Sequence, residues 1–158
     1  MLTALALIIF LVEAQIPVIV AIPGIKLGLA NMVVLFAIFW LEKKEALLVL
    51  LLRIFLGSIL VGQVVSLAYS LTGGLLSFLV MAAASQWLTE RQIWATGILG
   101  ALSHNVGQIL VAWFFTSSVQ VFWYLPILLL VALGTGLLTG ILAQVVLRAL
   151  RRYHTRSN

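Results

Sequence analysis

Three hydrogen-bonding side chains, His104, Asn105 and Gln108, interrupt an apolar run that extends over residues 93–115. Unpartnered polar groups in hydrocarbon are costly, so these side chains must bind one another, the backbone, water or a ligand. On an α-helix, His104 and Gln108 lie within about 40° of each other, and Asn105 lies about 100° from His104. The same arc otherwise carries glycine and alanine, which let helices approach closely. We therefore expect the three side chains to face the interior of a helix bundle.

Small residues recur at spacings of three and four in the other apolar runs. Such stripes are typical of packing seams between membrane helices, and packing is the interpretation that we favour for them. Packing does not require an imidazole beside a carboxamide, so for His104 and Asn105 we favour contact with a ligand. The stripes consist of Gly24, Gly28 and Asn31; of Ser66, Ser70, Gly73, Ser77 and Ala84; and of Ala132, Thr135, Gly136, Thr139, Gly140 and Ala143.

Arg53 is a charged residue inside another apolar run. It lies about eight residues, or roughly 12 Å of helix, beyond the polar segment EKKE at residues 42–45. A guanidinium at that depth costs at least about 2.5 kcal/mol unless it is paired or hydrated, although its side chain could also extend to the membrane surface. The chain has no aspartate, and its four glutamates lie near the ends of apolar runs. The expected partner is a polar side chain, a carbonyl at a helix end, a glutamate from a turn, or a bound anion.

Composition identifies the elements that must position these residues. Hydrophobic residues make up 64% of the 158 residues and charged residues only 8%, far from the roughly 25% charged residues of soluble domains. We therefore predict an all-α, polytopic membrane protein whose single transmembrane domain covers residues 1–158. The hydrophobic runs predict six spans, at residues 2–12, 27–41, 46–61, 64–87, 93–115 and 122–150.

Lysine and arginine are distributed unevenly between the connections. With a cytoplasmic amino terminus, residues 42–45, residues 89–92 and the basic tail would all be cytoplasmic, and only Lys26 would lie in an outer connection. This asymmetry predicts that both termini are cytoplasmic. The basic tail is expected to contact membrane lipid, and nucleic-acid binding is not expected.

The first connection is mostly apolar but contains two prolines. Pro17 and Pro23, the latter followed by glycine, disrupt helix geometry in residues 13–31. Backbone groups of such a segment need partners that lipid does not supply. We expect the segment to fold back onto the bundle as a lid or a partial re-entrant loop.

The sequence lacks the residues that several classes of chemistry require. There is no cysteine, no phosphate-binding loop of the ATPase type, and no aspartate-rich pair to hold Mg²⁺ and a diphosphate. His104 and His154 are fifty residues apart and form no metal-binding motif. We therefore expect no enzymatic activity, no cofactor and no metal, and instead a ligand cavity or a subunit that depends on partners.

Five segments together resemble a known family. They are PGIKLGLANMVVLFAIF, EALLVLLLRIFLGSILVG, YSLTGGLLSFLVM, GALSHNVGQILVAW and YLPILLLVALGTGLLTGILA. They resemble the Gx transporters, also labelled heptaprenyl diphosphate synthase component I, which are similar to the substrate-binding S components of energy-coupling factor (ECF) transporters. The resemblance implies a six-helix bundle of S-component type in the prokaryotic plasma membrane. It also implies a transmembrane coupling subunit and two ATPase subunits as partners.

The resemblance also indicates where a small-molecule substrate would bind. S components hold their substrate in the outer half of the bundle, beneath the first connection, and dock on the coupling subunit through small residues of the first helix. Here that helix offers only Ala4 and Ala6, a departure from the family pattern. The candidate substrate-binding residues are Lys26, Asn31, Arg53, Gln63, Tyr69, His104, Asn105 and Gln108.

Three functions are compatible with these features. We favour the S component of an ECF-type importer for a small, amphipathic or anionic micronutrient or precursor. The alternatives are a membrane subunit of a flavin- or quinone-linked electron-transfer assembly, and an accessory subunit in polyprenyl diphosphate synthesis. The substrate itself does not follow from the sequence.

Overall fold

The computed structural model describes residues 1–15, 28–62 and 64–157, with side chains up to residue 153. Lys26 and Gln63 lie outside these residues. The described residues form six α-helices and two short 3₁₀ segments, Glu90–Gln92 and Val119–Tyr124, and they contain no strand. The helices are α1 Leu2–Glu13, α2 Asn31–Trp40, α3 Lys43–Val61, α4 Val64–Ala84, α5 Ile93–Thr116 and α6 Leu125–Ser157.

The short helix α2 lies at the centre of the bundle and contacts all five other helices. Six consecutive residues, from Val33 to Ile38, are buried, which is possible only for a helix covered on every side. They pack with apolar side chains such as Leu50, Ile54 and Leu147 in the largest core cluster. The bundle is therefore built around a helix of ten residues, which is too short to cross a membrane.

Two connections, α2–α3 and α4–α5, meet the end of α6 at one end of the bundle. Lys43 Nζ donates a 2.9 Å hydrogen bond to the Ala82 carbonyl, which joins the start of α3 to the end of α4. Arg151 forms an ion pair with Glu90, which joins α6 to the segment before α5. We call this the basic end, because Lys43, Arg91, Arg148 and Arg151 lie there.

Glycine allows very close contact of α5 with both α4 and α6. A Cβ on Gly97 would lie 2.6 Å from the Gly136 carbonyl oxygen and 2.8 Å from Gly140 Cα. A Cβ on Gly107 would lie 2.8 Å from Gly73 Cα. The small-residue stripes of α4 and α6 are therefore packing seams, as the sequence predicted.

The prediction of an all-helical membrane protein with six helices is confirmed. In the described part of the chain, three helical segments are long and apolar enough to cross a membrane: Val64–Ala84, Glu90–Thr116 and Val119–Tyr153. Several predicted bounds need correction; the third helix, for example, begins at Lys43 and not at residue 46. The second helix begins at Asn31, four residues after its predicted start at residue 27, and the fourth ends at Ala84 instead of residue 87.

The sixth helix is also longer than predicted. It runs from Leu125 to Ser157, beyond the predicted end at residue 150, because the basic tail continues the same helix. Its 33 residues span about 48 Å, which exceeds the roughly 30 Å of a bilayer core. Its charged end therefore projects from the membrane.

Candidate functional site

Asn31, Arg53 and His104 meet near the middle of the bundle. Helical rise places Arg53 about 15 Å along α3 from Lys43, and His104 about 16 Å along α5 from Ile93. Asn31, the first residue of α2, lies about 14 Å from the far end of its helix at Trp40. In a core of about 30 Å this is half depth, where an unpaired polar group is most costly. All three side chains are buried.

The Asn31 carboxamide connects the other polar side chains of this network. Its Oδ1 accepts a 3.1 Å hydrogen bond from Arg53 Nη2. Its Nδ2 lies 3.1 Å from His104 Nδ1 and donates a longer bond of 3.5 Å to Ser77 Oγ. Asn31 thus links α2 to α3, α4 and α5 through one side chain.

Arg53 also determines which nitrogen of His104 carries the proton. A guanidinium can only donate, so the amide oxygen of Asn31 must face Arg53 and the amide nitrogen must face His104. That nitrogen can only donate, so His104 Nδ1 accepts and the neutral imidazole holds its proton on Nε2. His104 Nε2 is therefore a donor, directed toward the side of the site where Gly28 lies.

Two glycines bring the backbone against the His104 ring. Gly28 has φ +79, and a Cβ there would lie 3.1 Å from His104 Cδ2. A Cβ on Gly73 would lie 2.9 Å from both Cε1 and Nδ1 of the same ring. The imidazole is held between the end of the first connection and α4, so its orientation is fixed by contact as well as by Asn31.

Glu13 is the fourth member of the network, and sequence reasoning did not select it. This last residue of α1 is only 4% exposed, and its carboxylate accepts hydrogen bonds from the backbone N–H groups of Gly28 and Ala30. These N–H groups precede α2, where a carboxylate is favoured. Its negative charge also stabilises the Arg53 guanidinium. The available signal was that Glu13 begins the proline-containing connection, which ends at Asn31.

The environment of Arg53 combines a charge, an amide and an aromatic ring. Arg53 is 3% exposed, and its guanidinium carbon lies 5.7 Å from the centre of the Phe10 ring. Its Nε is buried without a hydrogen-bond partner in the described part of the chain. Of the partners expected from sequence, the polar side chain is present as Asn31. The arginine therefore does not extend to the membrane surface.

Asn105 and Gln108 are the other two polar residues of the predicted arc on α5. Both are buried, as expected from the helical arc. Asn105 Nδ2 donates a 2.8 Å hydrogen bond to the Leu128 carbonyl, so this side chain fastens α5 to α6. A cavity beneath residues 23–31 remains a prediction, because most of that segment lies outside the described residues.

Tyr69, another candidate residue, lies outside the network. Tyr69 is buried in a separate apolar cluster with Ile109 and Val121, and its ring stacks on Phe115 at 6.4 Å. Lys26 and Gln63 cannot be placed, because both lie outside the described residues. For partner docking, Ala4 is exposed, but Ala6 is fully buried in the cluster of Val33 and Val49. Ala6 is therefore unavailable at the surface, and the docking prediction rests on Ala4.

The arrangement is suited to binding. Each glutamate already has a partner: Glu13 binds the backbone before α2, Glu42 and Glu45 form the capping box of α3, and Glu90 pairs with Arg151. The buried network instead offers hydrogen-bond donors and a guanidinium at half depth. Such groups can recognise carbonyl or anionic groups of a ligand.

Comparison with known proteins identifies the family of the chain. A search for similar curated proteins and for similar solved structures found no match. A family model described as heptaprenyl diphosphate synthase component I matches residues 2–146, which includes every helix of the bundle except the last turns of α6. The name refers to one component of a larger system and so implies a partner component. The chain therefore belongs to the heptaprenyl diphosphate synthase component I family, the Gx transporter-like family that the sequence segments resemble.

Proposed function

We propose that this protein is a substrate-binding S component of an ECF-type importer in the prokaryotic plasma membrane. Its substrate would be a small, amphipathic or anionic micronutrient or precursor. The partners would be a transmembrane coupling subunit and two ATPase subunits. The observation that carries the proposal is the buried network of Asn31, Arg53 and His104, to which Glu13 ties the end of the first connection.

The network has features expected of a site beneath a lid. Residues 28–30, where the first connection returns to the bundle, are held by the Glu13 carboxylate and lie against His104. Arg53 Nε is a buried donor of this network that has no hydrogen-bond partner among the described residues. A ligand that carries a carbonyl or carboxylate would supply an acceptor for such a donor.

The chemistry of the polar groups supports a non-catalytic role. Prenyl diphosphate synthesis requires carboxylates that hold Mg²⁺ on the diphosphate. The chain has four glutamates and no aspartate, and all four carboxylates are used in helix capping, backbone contacts or an ion pair. We infer that the chain carries no synthase active site of its own.

The family description favours a second candidate, an accessory membrane subunit in polyprenyl diphosphate synthesis. In that role the bundle would recruit a separate catalytic subunit to the membrane. The two candidates differ in their partners and in whether a small molecule is bound at the buried network.

Affinity purification from a prokaryotic host, followed by mass spectrometry, distinguishes the candidates. Import predicts a bound small molecule together with a coupling subunit and ATPases. A prenyl synthase catalytic subunit without a ligand would support the second candidate, and a copurified flavin or quinone would support an electron-transfer subunit.

Variants then locate the ligand. Arg53→Gln and His104→Ala should each weaken ligand binding by about 5-fold to 150-fold, as expected for the loss of a buried hydrogen bond. Ser103→Ala is the matched control, because Ser103 precedes His104 and bonds only the backbone carbonyls of its own helix, at Leu99 and Gly100. Unchanged affinity in a folded Arg53→Gln and a folded His104→Ala protein would contradict the proposed site.

A further inference from the structure

A second polar region of the protein lies at the basic end, away from the buried network. An open cleft of about 630 Å³ lies between the segment before α5 and the end of α6. It is lined by Thr89, Glu90, Arg91 and Arg148. Small-ligand pockets typically measure about 300–1,000 Å³, so the cleft can hold a headgroup-sized molecule.

The cleft has an excess of positive charge. Glu90, the one carboxylate among the described residues that line it, is neutralised by an ion pair with Arg151. Arg91 and Arg148 form no ion pair with any described residue and are both exposed. Two guanidinium groups are therefore free to bind an anion, and their planar donors suit a phosphate.

The position of the cleft relative to the bilayer indicates the source of that phosphate. Arg91 precedes the start of α5, and Arg148 lies about 35 Å along α6 from Leu125, slightly more than the thickness of a bilayer core. The two exposed indole rings of Trp87 and Trp94 belong to the same end. Tryptophan is enriched where hydrocarbon meets headgroups, so the cleft lies at headgroup level.

Apolar surface continues from the cleft toward the bilayer centre. Trp94, about one turn deeper than Arg91, is 42% exposed, and Val145, one turn deeper than Arg148, is 57% exposed. The two helices remain in contact here, since a Cβ on Gly140 would lie 2.6 Å from Trp94 Cα. A phosphate bound by the arginines would thus have apolar side chains beneath it, where the acyl chains of a phospholipid run.

We propose that the cleft lined by Arg91 and Arg148 is a specific binding site for an anionic phospholipid. The arginines bind the headgroup phosphate, and Trp94 and Val145 contact the acyl chains. Basic pockets between membrane helices are a recognised way to bind such headgroups. Lipid bound there bridges α5 and α6 and stabilises their contact at this end of the bundle.

Native mass spectrometry of the detergent-purified protein tests this proposal with phosphatidylglycerol, phosphatidylcholine and inorganic phosphate as probes. The wild-type protein should retain one phosphatidylglycerol in preference to phosphatidylcholine. The double variant Arg91→Gln/Arg148→Gln should bind phosphatidylglycerol about 30-fold more weakly, given the usual contribution of each basic residue near a charged surface.

A charge-matched control distinguishes binding at a specific site from nonspecific electrostatic attraction of the anionic lipid to the basic end. Lys44→Gln/Arg152→Gln removes the same charge from exposed positions at the basic end that do not line the cleft. It should retain phosphatidylglycerol as the wild-type protein does. An equal loss in both double variants, or no loss in either, would overturn the proposal.

A third variant distinguishes a phospholipid from a free anion. Val145→Asn keeps both arginines and should weaken phosphatidylglycerol binding, while excess inorganic phosphate should not displace the lipid from the wild-type protein. If inorganic phosphate competes effectively and Val145→Asn has no effect, the cleft is a general anion site and the phospholipid assignment is wrong.

Discussion

Asn31 and Arg53 are joined by a 3.1 Å hydrogen bond from Arg53 Nη2 to Asn31 Oδ1 at about half the depth of the bundle. Because this bond fixes the orientation of the carboxamide, it also fixes the proton of His104 on Nε2. One amide thus connects the positive charge on α3 to the imidazole on α5. The predicted effects of the network on stability and ligand binding therefore depend on Asn31.

Replacement of Asn31 should destabilise the bundle strongly. Asn31→Leu removes the acceptor of Arg53 and the donor to His104, and should lower the free energy of unfolding by about 3 kcal/mol, because a buried charged donor is left without a partner. Ser77→Ala is the control, since it removes only the 3.5 Å contact of the same amide and should cost less than about 1 kcal/mol. Thermal unfolding in detergent measures both. Equal effects of the two changes would contradict the central role of Asn31.

The charges of Glu13 and Arg53 should be coupled energetically. A double-mutant cycle with Glu13→Gln and Arg53→Gln should give a coupling free energy of about 1–3 kcal/mol, because both groups are buried and each stabilises the charge of the other. Reversible unfolding in mixed micelles measures the free energies of unfolding of the wild-type protein, the two single variants and the double variant.

The exposed pair of Glu90 and Arg151 serves as the matched control. Its side chains are 40% and 53% exposed, so the same cycle with glutamine should give only about 0–1 kcal/mol. A coupling for Glu13 and Arg53 no larger than this control value would mean that the buried charges act independently.

Close contact of α5 and α6 should depend on Gly97. A methyl group in Gly97→Ala would meet the backbone of Gly136 and Gly140, which cannot move aside as a side chain would, and should destabilise the protein by about 1–3 kcal/mol. Gly134→Ala provides the comparison on α6, because no atom lies within 4 Å of the added carbon. It should be neutral or stabilise the protein by up to about 1 kcal/mol. Melting temperatures in detergent that rank the two variants in the opposite order would refute the described packing.

Orientation in the membrane can be measured with single cysteines, since the chain has none of its own. Lys43→Cys and Arg152→Cys should react with a membrane-impermeant thiol reagent only from the cytoplasmic side. Gln120→Cys, at the opposite end of the bundle, should react only from outside. The reverse pattern would show that both termini face outward, and that the proposed lipid cleft lies at the outer surface.

The sequence by itself determined the class of the fold and the faces of its helices. Long apolar runs with few charges require a membrane, and small residues at spacings of three and four, as on α4 and α6, define packing seams. The burial of His104, Asn105 and Gln108 also followed from sequence, because polar side chains on one helical arc avoid lipid. These conclusions depend on periodicity within a single helix, which a sequence displays directly.

Only the tertiary structure decided which polar groups meet. It pairs Glu13 with the backbone before α2, makes Asn31 the connection between Arg53 and His104, and directs Asn105 to the backbone of α6. Each contact joins residues far apart in the chain, and depends on the rotation and order of packed helices. Periodicity indicates which face of a helix is buried, but not which other helix packs against that face. The central position of α2 could not be predicted from sequence for the same reason. Apolar helices have similar sequences, and only packing determines which of them is covered on every side.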